Sequence, residues 1–186
     1  MAEAETSAET VEARETTSER RRRWALFAGT AAVVVVLDQL TKAWVDASFV
    51  RAADGGSSPL LGDLVRISKV YNDGAIFGFL DASAMIMAVL TVFVVAGVLW
   101  YEWRHGSGLG PLVTIGLGLL TGGAIGNLID RVRFGHVIDF VDMGIGDTRW
   151  YAWNISDAAV FLGIVALFVA ALLGDRAPGV KRGSGA

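Results

Sequence analysis

Four long runs of apolar residues dominate the hydropathy pattern, and they lie near residues 24–45, 82–103, 109–129 and 157–174. An α-helix rises about 1.5 Å per residue and the hydrocarbon core of a bilayer is about 30 Å thick, so each run is long enough to cross it. The pattern therefore predicts four transmembrane helices. The 186 residues are 53% hydrophobic, with a mean hydropathy of +0.50, which is too apolar for an ordinary soluble domain.

Two shorter segments between these runs alternate apolar and polar residues, at 64–71 and 136–141. A period of two is typical of β-strands that are half buried. In the second segment Val137, Asp139 and Val141 would share one face of the strand. The predicted fold class is a membrane all-α protein of four transmembrane helices with a small extracytoplasmic β-sheet region.

The distribution of charge divides the chain further. Six glutamates and almost no large apolar residues occur among the first nineteen residues, so residues 1–23 are predicted to be a disordered cytoplasmic tail. The membrane domain is expected at 24–174, followed by a cytoplasmic C-terminal tail at 175–186. The first apolar run is longer than the core of a signal peptide and indicates a retained anchor.

A concentration of basic residues marks one set of ends of the apolar runs: Arg20, Arg21, Arg22 and Arg23 precede the first run, Arg104 follows the second, and Arg176, Lys181 and Arg182 follow the fourth. Cytoplasmic segments of membrane proteins carry an excess of Lys and Arg. Both termini are therefore predicted to be cytoplasmic, and the protein to be a multi-pass component of the cell membrane.

Carboxylates are the side chains that remain as candidates for catalysis. The chain has no cysteine, its two histidines lack the spacing of metal ligands, and it contains no GxSxG motif, which leaves no support for a thiol, metal or serine mechanism. Asp139 and Asp157 lie where apolar runs meet the predicted outer face. Two neighbouring carboxyls can share a proton, so that one activates water while the other protonates a carbonyl oxygen. This pattern predicts hydrolysis of a peptide bond at the membrane surface.

Other polar residues line the third run and its end. Gly118, Gly122 and Gly126 recur every four residues and form a flat stripe that admits a neighbouring helix closely. If the helix continues, Asp130 extends this stripe into the bundle, and Asn127 and Arg131 follow in the adjacent row.

Three further features have an ordinary interpretation as well as a functional one. Asp38 and Lys42 are spaced as a helical ion pair, which could simply fix topology. Asn72 precedes Asp-Gly, a common turn signal. Asn154 and Asp157 begin the fourth run, where a helix cap is favoured in any case.

Four blocks together resemble the lipoprotein signal peptidases, the type II signal peptidases of bacteria: DQLTK at 38–42, YNDGAIFGF at 71–79, GGAIGNLIDRVRFGHVIDFVD at 122–142 and WNISDAAV at 153–160. The resemblance covers residues 24–174. It implies a four-helix aspartyl endopeptidase that cuts diacylglyceryl-modified prolipoproteins before the lipidated cysteine, without a metal or organic cofactor. Ser156 departs from the alanine common at its position.

The resemblance implies that Asp139 and Asp157 are the catalytic dyad. Substrate-binding or supporting roles are implied for Asp38, Lys42, Asn72, Asn127, Asp130, Arg131 and Asn154. The expected partners are the lipidated prolipoprotein and membrane lipid, with no nucleic acid, and the protein is expected to act as a monomer with its active site on the extracytoplasmic side.

Two other functions compete with this one. A small proton-coupled transporter would use Asp38, Lys42, Asp130 and Arg131 as a charge relay, and it predicts polar residues through the whole membrane depth. A non-catalytic membrane scaffold would assemble through the glycine stripe and would tolerate Asn at positions 139 and 157.

Overall fold

The computed structural model describes residues 16–74, 84–146 and 148–175. The elements are α1 Thr17–Ser48, β1 Ser58–Leu61, β2 Val65–Asn72, α2 Ala84–His105, α3 Pro111–Phe134, β3 Val137–Ile145, β4 Thr148–Arg149 and α4 Ile155–Leu173, with short 3₁₀ helices at Ala52–Asp54 and Gly106–Gly108. All four α-helices are long and apolar enough to cross a membrane. The predicted four-helix membrane fold with a small sheet is confirmed.

Helix α3 lies at the centre of the bundle. Of the residues in its most apolar 18-residue stretch 44% are buried, compared with 6% in α2. Glycines on α3 allow this packing. A Cβ atom at Gly118 would lie 2.9 Å from the Phe27 carbonyl oxygen of α1, and one at Gly122 would lie 2.7 Å from that of Ala31. Because only glycine permits so close an approach, the predicted stripe faces α1 inside the bundle.

The first helix starts earlier than its apolar run. Thr16 and Glu19 form a capping box at its beginning, with each side chain accepting from the other residue's backbone N–H. The prediction of disorder was therefore wrong for residues 17–23, because the cap and the helix-favouring arginines extend the helix beyond the membrane-spanning part. Residues 1–15 of that predicted tail, and residues 176–186 of the other, lie outside the described residues.

The sheet is antiparallel, with the strand order β1-β2-β3-β4. The two predicted strands are its central pair, although β2 continues to Asn72 and β3 to Ile145. Strands β1 and β4 escaped prediction because both are short and neither alternates. Pairing places Asp139 opposite Val70 and Val137 opposite Asn72.

The sheet packs on the end of α1 through a cluster of Val45, Ile67 and Phe140. Both faces of the first half of β3 are covered, since Ile138 and Phe140 are buried as Val137 and Asp139 are. The expected single buried face of this strand is therefore not observed. One face packs on α1, whereas the other carries Asp139 towards the polar residues of α3 and α4.

Candidate active site

Asp139 lies in the middle of β3 and is only 2% exposed. Its Oδ1 accepts a hydrogen bond from Asn154 Nδ2 at 2.6 Å, and its Oδ2 accepts one from Asn72 Nδ2 at 2.9 Å. Burial raises the pKa of Asp139 to about 7, and the nearby Asp157 carboxylate adds to the rise, whereas the two amides and Lys42 oppose it. The protonated form of this carboxyl is therefore retained to a higher pH than in an exposed aspartate.

Asp157 lies in the first turn of α4 and is half-buried. Its Oδ2 accepts from the Asn154 backbone N–H at 3.2 Å, while Asn154 Oδ1 accepts from the Asp157 backbone N–H at 3.0 Å. This capping box confirms the ordinary interpretation of both residues. The other oxygen, Oδ1, accepts from Asn127 Nδ2 at 2.8 Å, so capping leaves Asp157 free to join the polar network.

Two amide side chains connect the two acids. Asn154 Nδ2 donates both to Asp139 Oδ1 and, at 3.1 Å, to Asn127 Oδ1. Asn127 in turn donates to Asp157. A continuous hydrogen-bonded path therefore runs from Asp139 through Asn154 and Asn127 to Asp157, and it restricts the orientation of both carboxyls.

Lys42 fixes the Asn127 amide of this path. Its ammonium nitrogen lies 2.8 Å from Asp38 Oδ2, 2.9 Å from Asp130 Oδ2 and 2.8 Å from Asn127 Oδ1. A lysine ammonium has three N–H donors, so all three are used. Because Lys42 engages the oxygen of the Asn127 amide, the nitrogen of that amide is left to face Asp157.

The two acids that flank Lys42 reach into other elements. Asp38 Oδ1 accepts from the Ser156 backbone N–H at 2.9 Å and so holds the start of α4. Asp130 Oδ2 accepts from the Ile138 backbone N–H at 3.1 Å and so holds the start of β3. Asp38 is fully buried and Asp130 is 1% exposed, which confirms that the end of the glycine stripe faces the bundle interior.

Arg131 lies at the edge of the network. It is half-buried, and its Nη1 donates to the Asn127 carbonyl oxygen at 3.4 Å. Its Nε is buried and has no hydrogen-bond partner within the part of the chain that the structure describes. The structure thus brings eight of the nine predicted residues into one network and places Arg131 beside it.

One side chain of the network was not predicted. Gln39 Nε2 donates to Asp130 Oδ1 at 2.9 Å and to the Gly126 carbonyl oxygen at 3.3 Å. An amide within an apolar run is costly unless it has a partner, and this was the available signal. The donors of Ser156 and Ile138 are backbone groups and carry no such signal. No group of His, Asp and Glu side chains in the described ranges is arranged to hold a metal ion.

The model of the signal peptidase (SPase) II family matches residues 30–173. The chain belongs to the signal peptidase II family. A lipoprotein signal peptidase of Syntrophomonas wolfei is 37% identical over 147 residues, which cover 79% of this chain and 93% of the relative. One from Geobacillus thermodenitrificans is 39% identical over 142 residues, covering 75% and 84%.

A solved bacterial membrane enzyme also aligns, with a TM-score of 0.67 and 26% identity over 84% of this chain and 92% of the other. As a signal peptidase II, the protein is an aspartic protease and therefore a hydrolase. Membership of this family therefore favours a peptidase over the transporter and scaffold alternatives.

Proposed function

We propose that this signal peptidase II removes the signal peptide from diacylglyceryl-modified prolipoproteins by cutting the bond before the lipidated cysteine, with Asp139 and Asp157 as the catalytic pair. The family and the relatives named lipoprotein signal peptidase support the reaction. The observation that carries the residue assignment is the amide path that joins these two carboxyls.

The environments of the two acids suggest different roles. Asp139 is the more deeply buried, and its raised pKa favours the protonated form. Asp157 is only half-buried, and it accepts hydrogen bonds from Asn127 Nδ2 and from a backbone N–H at the N-terminus of α4. We therefore assign Asp157 as the general base and Asp139 as the general acid.

The proton transfers balance under this assignment. Asp157 takes a proton from water as the oxygen attacks the scissile carbonyl carbon, and Asp139 gives its proton to the carbonyl oxygen. When the tetrahedral intermediate collapses, Asp157 passes its proton to the departing amine. Asp139 regains a proton from the intermediate's hydroxyl, so the pair returns to its starting state.

The remaining predicted residues support this pair. Lys42, Asp38 and Asp130 position Asn127, α4 and β3, and Asn154 orients both acids. Asn72 contacts Asp139 directly and is assigned to the substrate side. The partnerless Nε of Arg131 near the acids suits a carbonyl oxygen of the bound peptide.

The placement in the membrane follows from charge. Arg20–Arg23 and Arg104 lie at the end of the bundle opposite Asp139 and Asp157. The positive-inside rule supports the proposal that both termini lie in the cytoplasm and the catalytic pair on the extracytoplasmic side. A signal peptide and its diacylglyceryl group would enter from the bilayer, and the protein would act as a monomer.

The deciding experiment incubates the purified protein in detergent with a diacylglyceryl-modified prolipoprotein and with its unlipidated form. Cleavage before the cysteine is expected only for the lipidated form. Asp139→Asn and Asp157→Asn should each lower turnover by about 100-fold or more while the protein remains folded. If either variant turns over at a rate near that of the parent, the assignment of the pair is wrong.

A chelator provides a second test. Activity should persist in EDTA because the proposed mechanism uses two carboxyls and water alone. Loss of activity that added zinc restores would contradict the aspartyl mechanism and leave the family assignment intact.

A further inference from the structure

Asp139 receives one of its two amide hydrogen bonds from the end of a strand. Asn72 is the last residue of β2, and its pairing with Val137 is the last rung of the β2–β3 ladder. Asn72 Nδ2 donates to Asp139 Oδ2 at 2.9 Å, and Asn72 Oδ1 accepts from the Gly74 backbone N–H at 2.9 Å. The ends of paired strands open more readily than their centres. The contact with Asp139 therefore depends on whatever keeps this last rung closed.

Two stacked rings cross the same end of the ladder. Tyr71 pairs with Ile138, so Tyr71 and His136 are diagonal neighbours across β2 and the start of β3. Their ring centroids are 4.1 Å apart, and the planes meet at 28°. Tyr71 directly precedes Asn72, and successive strand residues point to opposite faces, so the stack lies on the face away from Asp139. The end of the ladder is thus bridged by a hydrogen bond on one face and by a ring stack on the other.

Contacts on both sides hold the two rings in place. On the β2 side, Arg51 Cζ lies 4.5 Å from the centre of the Tyr71 ring, and the Tyr71 hydroxyl donates to Asp46 Oδ1 of α1 at 3.3 Å. On the β3 side, the ring of Phe134, the last residue of α3, is stacked on His136 with centroids 6.0 Å apart. The stack therefore ties the end of β2 to α1 and α3, two helices that also contribute to the polar network.

We propose that Tyr71 and His136 are positioning residues of the peptidase, and that their stack holds Asn72 against Asp139. Burial raises the pKa of Asp139, and the hydrogen bond from Asn72 opposes that rise. Loosening the stack should therefore weaken the amide contact and raise the pKa of Asp139 further. The inference rests on the proposed function only for its effect on cleavage, because this pKa can be measured without turnover.

The test measures the pKa of Asp139 by NMR of the full chain in detergent, from the side-chain carboxyl carbon signal that disappears in Asp139→Asn. His136→Leu removes the ring but keeps an apolar side chain, whereas His136→Phe keeps a ring that can stack. His136→Leu should raise the pKa by up to about one pH unit, the size expected for loss of the Asn72 contact. His136→Phe should match the parent. Tyr71→Leu and Tyr71→Phe form the same pair of variants on β2.

A double variant shows whether the effect passes through Asn72. In an Asn72→Ala background, His136→Leu should cause no further rise, because changes that act through one contact are not additive. Trp150→Ala, which removes an exposed ring from the other end of the sheet, should leave the pKa of Asp139 unchanged. A stack that only anchors the sheet at the membrane surface would also leave it unchanged in His136→Leu.

Three results would overturn the inference. They are a parent-like pKa of Asp139 in His136→Leu, an equal rise in His136→Phe, and rises that add in full when His136→Leu is combined with Asn72→Ala.

Cleavage separates this inference from the proposed function. If Asp139 is the general acid, the loss of turnover at high pH should move upward in His136→Leu together with the pKa. A raised pKa with an unchanged pH profile of turnover would contradict the general-acid role of Asp139 and leave the positioning by the stack intact.

Discussion

The two ends of the helix bundle both bury carboxylates, but they satisfy them differently. At the end that carries Asp139 and Asp157, Lys42 binds two acids and one amide, and each of these groups also bonds to another helix or strand. At the opposite end, Glu102 is fully buried and pairs with Arg23 through Oε1 at 2.5 Å, while its Oε2 has no hydrogen-bond partner within the described residues.

This difference shows what each cluster does for the fold. The Arg23–Glu102 pair attaches α2 to α1, and Arg23 also donates to the Glu102 carbonyl oxygen. In the network around Lys42, charged groups orient the neutral amides of Asn127 and Asn154, and these amides orient Asp139 and Asp157. Damage to one cluster should therefore affect stability alone, and damage to the other should affect catalysis as well.

The largest expected effect comes from Lys42→Met. It leaves Asp38 and Asp130 buried without a cation, which should destabilise the protein by about 3–5 kcal/mol. It also frees Asn127, so the protein that remains folded should cleave substrate at least about 100-fold more slowly. Thermal unfolding in detergent and turnover per folded molecule measure the two effects.

Arg23→Met is the matched control at the opposite end. It should lower the unfolding temperature less, because only one acid loses its partner, and it should leave the turnover of the folded protein unchanged. A turnover loss as large as that of Lys42→Met would show that the two ends are coupled.

Gly126→Leu should have the next largest effect. Its Cβ would lie 2.7 Å from Asp38 Oδ2 and would overlap the Ser156 hydroxyl, so α3 must move away from both helices. Overpacking of this kind costs about 1–3 kcal/mol, and a displacement of about 1 Å at Asp130 and Asn127 should slow cleavage sharply. Gly97→Leu is the control, since nothing lies within 4 Å of its Cβ position. If the two variants are equally stable and active, the placement of Gly126 in the bundle interior is wrong.

Asp139→Asn tests how the buried acid affects the free energy of unfolding, separately from its effect on turnover. The folded pKa of about 7 lies above the unfolded value, so the unfolded chain releases this proton between about pH 4 and pH 7 while the folded protein retains it. Stability of the parent is therefore lost as pH rises through that window. The variant should equal the parent at pH 4 and exceed it by about 4 kcal/mol at pH 8, since about three pKa units at about 1.4 kcal/mol each are lost from the parent. A variant less stable at pH 8 would contradict the raised pKa.

Asn72→Ala should have the smallest effect. Its amide bonds the ionised form of Asp139 and lowers that pKa, so removing it should raise the pKa further. If Asp139 is the general acid, the loss of cleavage at high pH should then move upward by about one pH unit. The pH dependence of turnover, compared between the variant and the parent, measures this shift. If instead the loss of cleavage at low pH moves upward while the loss at high pH stays in place, the assigned roles of Asp139 and Asp157 are reversed.

The site was only partly predictable from local pattern. The four ordered blocks were enough to identify the family, and they lead to the proposal of Asp139 and Asp157, among nineteen acidic residues, as the catalytic pair. The supporting role of Gln39 was not predicted. The contacts of Asp38 and Asp130 with backbone N–H groups could not be predicted, because every residue other than proline has a backbone N–H and the sequence does not show which one is used.

The sequence by itself determined the number of helices and their approximate ends, because the length of an apolar run is a local property and the membrane thickness is constant. Only the tertiary structure decided which donor reaches which acid. Lys42 meets Asn127 across 85 positions, and Asp38 meets Ser156 across 118. Such contacts depend on how closely α1, α3 and α4 approach, and that distance is set by glycine contacts between helices rather than by the polar residues themselves.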